Sequence, residues 1–280
     1  MRINRQTLES IVKAIYQADS LIIGAGAGMG VDSGLPDFRG QSGFWKAYPA
    51  LAKEKLDFTQ IANPQAFRHN PALAWGFYGH RLNLYRQIKP HQGFSILKKI
   101  GEQLANGYQV FTSNVDGHFS VAQFAREAIY ECHGSIHYLQ CSQACKDEIW
   151  PAADLIIETD DLQCLATSKL PTCHHCGAVA RPNILMFDDY YWNATRSERQ
   201  VKNLSANLAA YTRPVIIECG AGKAIPTVRY FCEKQKGTLI RINVRESDIA
   251  DNKGFAIAEG ALSALTQIDQ ALDQAGFYSR

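Results

Sequence analysis

The stretch GAGMGVDSGLPDFRG, residues 26–40, is a glycine-rich loop that directly follows the apolar run SLIIGA (20–25). An apolar strand that ends in closely spaced glycines is typical of a site where the backbone approaches a phosphate. Both frames of the dinucleotide fingerprint G-x-G-x-x-G fail, because Met29 and Val31 stand where the third glycine is required. The segment after the loop does not resemble a second strand. The sequence therefore disfavours a dehydrogenase and predicts a loop that passes through Pro36 without beginning a helix.

Three further apolar runs alternate with helical segments along the chain: YQVFTSN (108–114), PVIIECGAG (214–222) and GTLIRIN (237–243). Short apolar strands separated by amphipathic helices are typical of a parallel sheet with helices on both faces. Each run ends in small or polar residues, and ligands of such sheets bind beyond the carboxyl ends of the strands. The predicted fold is an α/β, Rossmann-like parallel sheet, with a smaller domain inserted where the alternation breaks at 141–180.

The composition is that of an ordinary globular protein. Of the 280 residues, 46% are hydrophobic and 20% are charged, and 29 lysines and arginines nearly balance 27 aspartates and glutamates. This balance gives no support to nucleic-acid or membrane binding. No apolar run approaches the ~20 residues that a membrane span needs. We therefore expect a cytoplasmic protein whose eight cysteines are not paired in disulfides, and a monomer is compatible with the sequence.

Four cysteines form two close pairs, C-x3-C and C-x2-C, that are 27 residues apart: Cys141, Cys145, Cys173 and Cys176. Two such pairs are the ligand pattern of a tetrahedral zinc–thiolate site. Four thiolates fill the coordination sphere, so this zinc is predicted to be structural and the catalyst must lie elsewhere. Three nearby side chains remain open as alternative ligands: Cys164, His174 and His175.

Several short motifs, taken in order, resemble the Sir2 (sirtuin) family of NAD-dependent protein deacylases. The glycine-rich loop is similar to the family's G-A-G-x-S-x-x-S-G-I-P-D-F-R, and the resemblance extends from about residue 20 to residue 262. The other matches are TSNVD (112–116) for T-Q-N-I-D, HGS (133–135) for H-G-S, RPNILMF (181–187) for R-P-x-V-V-x-F, GAG (220–222) for G-T-S, and IN (242–243) for I-N. The two cysteine pairs fall where the family has its zinc ligands.

The resemblance implies that NAD is a co-substrate whose bond to nicotinamide is broken. The family pattern places the cofactor-binding residues at Gly26, Ala27, Gly28, Asp37, Phe38, Arg39, Asn114, Asp116, Gly220, Ala221, Gly222 and Asn243. By the same pattern, Asp116 holds the nicotinamide carboxamide, Asn114 contacts the ribose at the reaction centre, and Asn243 suits the adenosine ribose. Backbone amides around Ala27 are expected to approach the diphosphate, since side chains there are small or absent.

The implied reaction removes an acyl group from a protein lysine and produces an O-acyl-ADP-ribose. The acyl carbonyl oxygen attacks C1′ as nicotinamide leaves, and neutral His133 then acts as general base on a ribose hydroxyl. Asn114 is the second predicted catalytic residue. The acyl-lysine peptide is expected to pair by strand addition along Ile184, Leu185 and Phe187.

A Tyr-x-x-Arg spacing, Tyr78 and Arg81, predicts the class of acyl group. Residues three apart share one face of a helix, so the phenol and the guanidinium can point into one pocket. Sirtuins that prefer succinyl- or malonyl-lysine carry the same spacing, and the resemblance implies a preference for acidic acyl groups. In the alternative interpretation, Tyr78 belongs to the core and Arg81 caps the helix or pairs with Glu54.

Departures from the family pattern leave other functions open. Gly30 replaces a serine, Ser113 replaces a glutamine, and Asp188-Asp189 replaces Gly-Glu. The alternatives are a mono-ADP-ribosyltransferase or NAD hydrolase of the same fold and, from another class, a non-catalytic NAD-sensing module. An intact His133 argues against the sensing module, because binding alone needs no base.

The motifs divide the chain into three predicted parts. Residues 1–40, 89–135 and 181–280 are expected to form the Rossmann-like NAD-binding domain, 41–88 a helical module, and 136–180 a zinc-binding module.

Overall fold

The structure, a computed structural model, describes residues 3–36, 40–250 and 253–279, and the elements below belong to that part of the chain. The strands are β1 (Ser20–Ala25), β2 (Tyr108–Thr112), β3 (Ile129–Glu131), β4 (Gly134–Cys141), β5 (Ile149–Pro151), β6 (Thr159–Asp160), β7 (Leu165–Ala166), β8 (Ala180–Ile184), β9 (Pro214–Cys219), β10 (Thr238–Ile242) and β11 (Gly254–Ile257).

The helices connect and cover these strands. They are α1 (Arg5–Gln17), α2 (Gly28–Val31), α3 (Gly40–Ala47), α4 (Pro49–Lys53), α5 (Phe58–Ile61), α6 (Pro64–His69), α7 (Pro71–Gln87), α8 (Gln92–Glu102), α9 (His118–Val121), α10 (Thr195–Ala210), α11 (Thr227–Lys234) and α12 (Ala261–Gln274), with 3-10 turns at Arg126–Ala128 and Phe277–Ser279. Among these described helices, none combines the length and the apolar character that crossing a membrane requires.

The larger sheet is parallel throughout, and its strands lie in the order β3-β2-β1-β9-β10-β11. Counted along the chain within this sheet, that is the order 3-2-1-4-5-6 of a Rossmann fold. β1 occupies the centre, where Ile22 lies opposite Gln109 of β2 and Ile216 of β9. The predicted fold class is confirmed, although the dinucleotide fingerprint is absent.

Both faces of the central strand are buried, which explains its continuous apolar sequence. Successive side chains of a strand point to opposite faces. Ile23 packs in one core with Ile15 of α1 and Leu265 of α12. Its neighbour Ile22 packs in a core on the other face with Leu204 of α10. A strand covered by helices on both sides has no solvent-facing position, so a polar alternation is not expected.

A further core lies beside the large sheet and is built from two separate stretches of chain. The helices between 40 and 87 contribute Phe44, Trp75 and Phe77. The antiparallel sheet β5-β4-β8 contributes Ile136 and Ile184 to the same cluster. The segments predicted as a helical module and a zinc-binding module therefore pack around one shared hydrophobic core.

Two glycines on α7 allow this helix to approach the hairpin β6–β7 closely. A Cβ atom at Gly76 would lie 2.1 Å from the carbonyl oxygen of Cys164, and one at Gly79 would lie 2.3 Å from a methyl carbon of Ile157. Any larger residue at either position would push the helix away. Cys164 belongs to this buried core, and the position of α7 relative to the zinc-binding segment follows from the contact.

The glycine-rich loop after β1 forms one helical turn, α2, where the sequence predicted none. The turn directs Met29 into the main core, which gives a physical reason for helical backbone here. As the chain leaves the turn, the Leu35 N–H donates to the Gly30 carbonyl at 3.2 Å. Three residues predicted from this loop lie outside the described residues: Asp37, Phe38 and Arg39.

A buried ion pair joins two neighbouring strands of the large sheet. Arg241 of β10 lies opposite Glu218 of β9, and both side chains are at most 1% exposed. The guanidinium donates through Nε at 2.6 Å and through Nη2 at 2.9 Å to the two carboxylate oxygens, and Nη2 also contacts Glu233 at 2.8 Å. Such a bidentate, charge-assisted pair is strong only while both partners are present.

We expect Glu218→Gln to lower the free energy of unfolding by about 3 kcal/mol, because the buried Arg241 guanidinium loses the carboxylate that balances its charge. The measurement is the urea unfolding curve of the purified protein. The matched control is Glu9→Gln, which breaks the Arg5–Glu9 pair on α1, whose side chains are 93% and 64% exposed. That change should leave the unfolding curve nearly unchanged, because solvent screens an exposed ion pair. Equal losses in the two variants would contradict the prediction.

Candidate active site

The carboxyl ends of β1 and β9 meet through glycines. The N–H of Gly26 donates to the carbonyl of Cys219, and that of Gly28 donates to the carbonyl of Gly220, both at 3.0 Å. A Cβ at Gly26 would lie 2.7 Å from Cα of Ala221, and Gly220 has a φ of +64°. These glycines, which were predicted to bind the cofactor, thus have a structural role: they allow the backbones of the two loops to come into contact.

One residue of the predicted phosphate loop is turned towards solvent. Ala27 is exposed between two glycines whose amides already donate within the protein. The predicted approach of the diphosphate is therefore restricted to the Ala27 side of the loop, because the Gly26 and Gly28 amides are used elsewhere.

The end of β10 is held by a buried asparagine. The side-chain amide of Asn243 donates to the Ala221 carbonyl at 2.8 Å, and its Oδ1 accepts the N–H groups of Arg245 and Glu246 at 3.0 and 3.1 Å. Asn243 is 2% exposed. Gly222 is half-buried and lies beside the carboxylate of Glu246, a residue that no sequence motif indicated. Asn243 orders both loops here, and its predicted contact with a ribose remains a prediction.

The end of β2 brings the predicted ribose-contacting residue to the glycine loop. The Asn114 amide donates to the Gly26 carbonyl at 3.1 Å, so β1 and β2 are tied at this edge. Asp116 is 6% exposed, and its Oδ1 accepts the N–H of His118 at 2.9 Å. Nε2 of His137 lies 2.8 Å from the Asp116 carbonyl oxygen, a contact that no sequence motif indicated. Asn114 and Asp116 are therefore held in place by backbone and side-chain hydrogen bonds.

His133 follows β3 and reaches the same edge of the sheet. Its ring is partly buried, and burial lowers the pKa of the imidazole below the ordinary 6.5, while a hydrogen bond with the Ser113 backbone opposes this effect. The His133 carbonyl accepts the N–H of Leu185 at 3.0 Å. The predicted base is thus neutral at pH 7 and is linked to both the β2 loop and the predicted peptide-binding segment.

The predicted peptide-binding segment continues β8 across the face of the further core. Ile184 is buried, whereas Leu185 is 38% exposed. The Phe187 N–H donates to the Ala62 carbonyl at 2.9 Å, and its ring contacts Phe58 edge-on at 5.9 Å. The segment is therefore supported on one side and open at Leu185.

Two aspartates stand where the family has Gly-Glu, and the structure gives each a role. Asp188 has a φ of +53°, the left-handed conformation that glycine adopts most easily and that aspartate tolerates. The carboxylate of Asp189 pairs with Arg181 at 2.8 Å, and both side chains are fully buried. Asp188 thus adopts a conformation that favours glycine, and the Asp189 charge is neutralised inside the protein.

Tyr78 and Arg81 lie together on α7, as their spacing predicted. Arg81 is 7% exposed, and its Nε and Nη2 donate to the hydroxyl of Tyr85 at 2.9 and 2.8 Å. The guanidinium carbon lies 5.7 Å from the Tyr78 ring centre and 5.2 Å from that of Phe77. Burial raises the pKa of Tyr78 to about 12. Tyr78 is 1% exposed and belongs to the hydrophobic core, as the alternative interpretation held, whereas Arg81 sits in the middle of α7 and does not cap the helix.

Tyr85 is a contact that the sequence analysis missed. It lies four residues after Arg81, a spacing that places two side chains on one helix face. The i,i+4 spacing of Arg81 and Tyr85 is therefore the sequence signal that indicates this contact.

The four predicted zinc ligands converge at one point. The Sγ atoms of Cys141 and Cys176 lie 3.6 Å apart, as do those of Cys145 and Cys173, and all four lie within 4.8 Å of one another. In a tetrahedral site with Zn–S bonds of about 2.3 Å, neighbouring sulfurs are about 3.8 Å apart. The residues therefore fit a structural zinc with four thiolates, and Cys164, an open alternative, lies in the core instead.

We expect Cys173→Ser to lose both the metal and a large part of the stability. Structural zinc contributes about 10–16 kcal/mol of folding free energy in zinc-finger peptides, so a loss on the order of 5 kcal/mol or more is expected here. Zinc per chain is measured by atomic emission and stability by thermal unfolding. Cys164→Ser is the control and should keep one zinc. Full zinc in Cys173→Ser would disprove the assignment.

Comparisons with known proteins agree with these motifs. The sequence model described as "Sir2 family" matches residues 26–210. A protein of Pyrococcus abyssi named NAD-dependent protein deacylase is 27% identical over 264 residues, which is 92% of this chain and 95% of that protein. A protein of the same name from Aquifex aeolicus is 29% identical over 247 residues, with 87% and 91% covered.

Solved structures show the same fold. A complex of a Sir2 homologue with NAD superimposes with a TM-score of 0.72 at 19% identity and covers 95% of this chain and 94% of the other. A Sir2 complex with a deacetylated peptide and 3′-O-acetyl-ADP-ribose gives a TM-score of 0.69 at 18% identity, with 94% and 98% covered. Because the family's sequence model spans well over half of the 280 residues, from the glycine loop through the zinc module into α10, this chain belongs to the Sir2 family.

Proposed function

We propose that this protein is an NAD-dependent protein deacylase that transfers the acyl group of a modified lysine to the ADP-ribose part of NAD. The observation that carries the proposal is the position of His133. It is hydrogen-bonded to the Ser113 backbone in the loop after β2, and its carbonyl accepts the N–H of Leu185. The relatives named above as NAD-dependent protein deacylases match nearly the whole chain, which supports the same assignment.

The residues around the cleft fit NAD as the co-substrate. The exposed Ala27 side of the glycine loop leaves room for a diphosphate, and Asp116 and Asn114 are held at the neighbouring strand end. When bound, NAD supplies an electrophilic ribose carbon and nicotinamide as the leaving group. Asn114 would orient the ribose, and the buried carboxylate of Asp116 would accept the carboxamide N–H.

His133 would remove a proton from a ribose hydroxyl. A general base must be unprotonated at the working pH, and burial lowers the pKa of this imidazole, so the neutral form dominates at pH 7. The hydrogen bond with the Ser113 backbone orients the ring. A base whose ring is hydrogen-bonded to the Ser113 backbone and whose carbonyl accepts the Leu185 N–H can serve a ribose and an acyl-lysine that meet at the end of β2.

The acyl-lysine peptide would pair with the segment after β8. The N–H groups of Leu185 and Phe187 already donate within the protein, to His133 and Ala62. An added strand would therefore pair mainly through its own N–H groups and the carbonyl oxygens of this segment. The exposed Leu185 side chain offers an apolar contact to the peptide.

The Tyr78–Arg81 pair supports an acidic acyl group. Arg81 is buried, and its Nε and Nη2 donate to the Tyr85 hydroxyl, so a bound carboxylate would give this guanidinium a charged acceptor. The aromatic rings around it exclude water, and in such surroundings a carboxylate can accept two parallel hydrogen bonds from a guanidinium. The substrate class we propose is a lysine that carries a dicarboxylic acyl group, such as succinyl or malonyl.

The decisive experiment is nicotinamide release with and without an acylated peptide. Release that requires the peptide supports the deacylase. Release without peptide would indicate an NAD hydrolase, and label transferred from NAD to a protein would indicate an ADP-ribosyltransferase. NAD binding with no release would indicate the sensing module.

We expect His133→Ala to lower kcat for deacylation by about 10²–10⁴-fold, because a general base is removed. The affinity for ADP-ribose, measured by calorimetry, should stay within a factor of three. In the wild type, kcat/KM should be level between pH 7 and 8 and fall on the acid side with a midpoint below 6.5, since the imidazole is protonated there.

His69→Ala is the control for this variant, because His69 is an exposed histidine on α6. It should behave as the wild type. An unchanged kcat in His133→Ala, or an acid midpoint well above 6.5, would refute the role of His133.

We expect the wild type to prefer a succinyl over an acetyl peptide and Arg81→Met to abolish that preference. Loss of a charge-assisted pair should lower kcat/KM for the succinyl peptide by about 10-fold or more. The control is Arg86→Met on the same helix, whose guanidinium contacts the carbonyls of Ala152 and Leu155. A preference that survives in Arg81→Met would disprove the acyl pocket without affecting the assignment as a deacylase.

A further inference from the structure

A second group of metal-ligating side chains lies in the zinc-binding segment, outside the four-cysteine site. It consists of Glu148, which directly precedes β5, and of two consecutive histidines, His174 and His175, in the turn between Cys173 and Cys176. One donor atom of each of the three side chains lies within 4.8 Å of the others. We propose that Glu148, His174 and His175 form a second metal site, for a divalent late transition metal such as Zn²⁺.

The distance between His174 and Glu148 suits metal ligation. Nε2 of His174 lies 3.2 Å from Oε2 of Glu148, and Nε2 of His175 contacts the same oxygen. A metal ion about 2.1 Å from both the oxygen and the His174 nitrogen would see them at an angle of about 100°, between the octahedral and tetrahedral values. The two imidazole rings lie 4.3 Å apart at 49° to each other, and their Nε2 atoms contact the same Glu148 oxygen.

The backbone holds the two histidines in place. The Cys173 N–H donates to the Ala178 carbonyl at 2.7 Å, and the Gly177 N–H donates to the Cys173 carbonyl at 2.9 Å. The His174 ring also packs edge-on against Trp150 of β5 at 5.0 Å. Adjacent residues in a turn do not ordinarily aim at one atom, yet here both rings meet the same carboxylate oxygen.

The donor set selects the class of metal. Two imidazoles and one carboxylate suit Zn²⁺, Ni²⁺, Cu²⁺ or Co²⁺, whereas Mg²⁺ and Ca²⁺ prefer oxygen ligands alone. The cysteine site needs none of these side chains, because four thiolates complete its coordination. The two sites are therefore chemically distinct, and the second retains positions for water.

Occupation of this site would join β5 to the second cysteine pair. Glu148 and the two histidines come from separate segments of the chain, so a metal ion bound by all three would cross-link these segments. A ligand that binds only the folded state stabilises it. Metal at the second site should therefore raise the melting temperature of the zinc-loaded protein.

The test begins with protein that carries its single tightly held zinc. It is dialysed against excess Zn²⁺, and bound zinc per chain is counted by atomic emission. We expect two zinc ions per chain in the wild type and one in both His174→Ala/His175→Ala and Glu148→Gln. Glu148→Gln leaves the cysteine turn untouched, so a folding defect of the double variant cannot account for both results.

Two controls and one spectrum complete the experiment. His69→Ala and Glu158→Gln remove an exposed histidine and an exposed carboxylate elsewhere and should leave two zinc ions. Co²⁺ added to the zinc-loaded wild type should give d–d absorption without a thiolate charge-transfer band. One zinc in the wild type, which is expected if the three side chains are joined by hydrogen bonds alone, would overturn the proposal. So would two zinc ions in Glu148→Gln, or a thiolate band from the added cobalt.

Discussion

The contact between the loops after β1 and β9 is the constraint on which the cleft depends. Gly220 has positive φ, and a Cβ there would lie 2.3 Å from the Gly28 carbonyl carbon. Because neither loop carries a side chain at the crossing, the backbones can hydrogen-bond directly, and Asn114 and Asn243 each add a bond to this contact. The ends of β1, β2, β9 and β10 are thereby held in one arrangement.

The second constraint is the link between the large sheet and the further core. The hydrogen bond from the Leu185 N–H to the His133 carbonyl connects the segment after β8, which packs on the further core, to the end of β3 in the large sheet. A nucleotide bound at the strand ends and a peptide bound along the segment after β8 would thus meet at His133. A reaction between two substrates needs their reacting atoms held within contact distance, and a rigid link of this kind provides it.

Local features of the fold could be predicted from the sequence, and features that need distant residues could not. The strands and the cysteine pairs were predicted because burial on both faces and metal ligation leave short, characteristic patterns. The Arg241–Glu218 pair depends on the register of β9 and β10, and the convergence of Glu148 with His174 depends on the packing of the zinc-binding segment. The turn α2 could not be predicted because the low helix propensity of its glycines argues against a helix, whereas the burial of Met29, which favours the turn, depends on distant residues.

The departures from the family pattern show how the structure compensates for a changed residue. A serine at position 30, as in the family, would place its Cβ 2.7 Å from the Leu35 methyl, so Gly30 and Leu35 are sterically coupled. Asp188, where the family has glycine, adopts the left-handed conformation that glycine favours, and Asp189 is neutralised by Arg181. Neither change therefore brings an uncompensated buried charge to the segment at Leu185. Asp188 is exposed, so its carboxylate stays in contact with water and carries no desolvation cost.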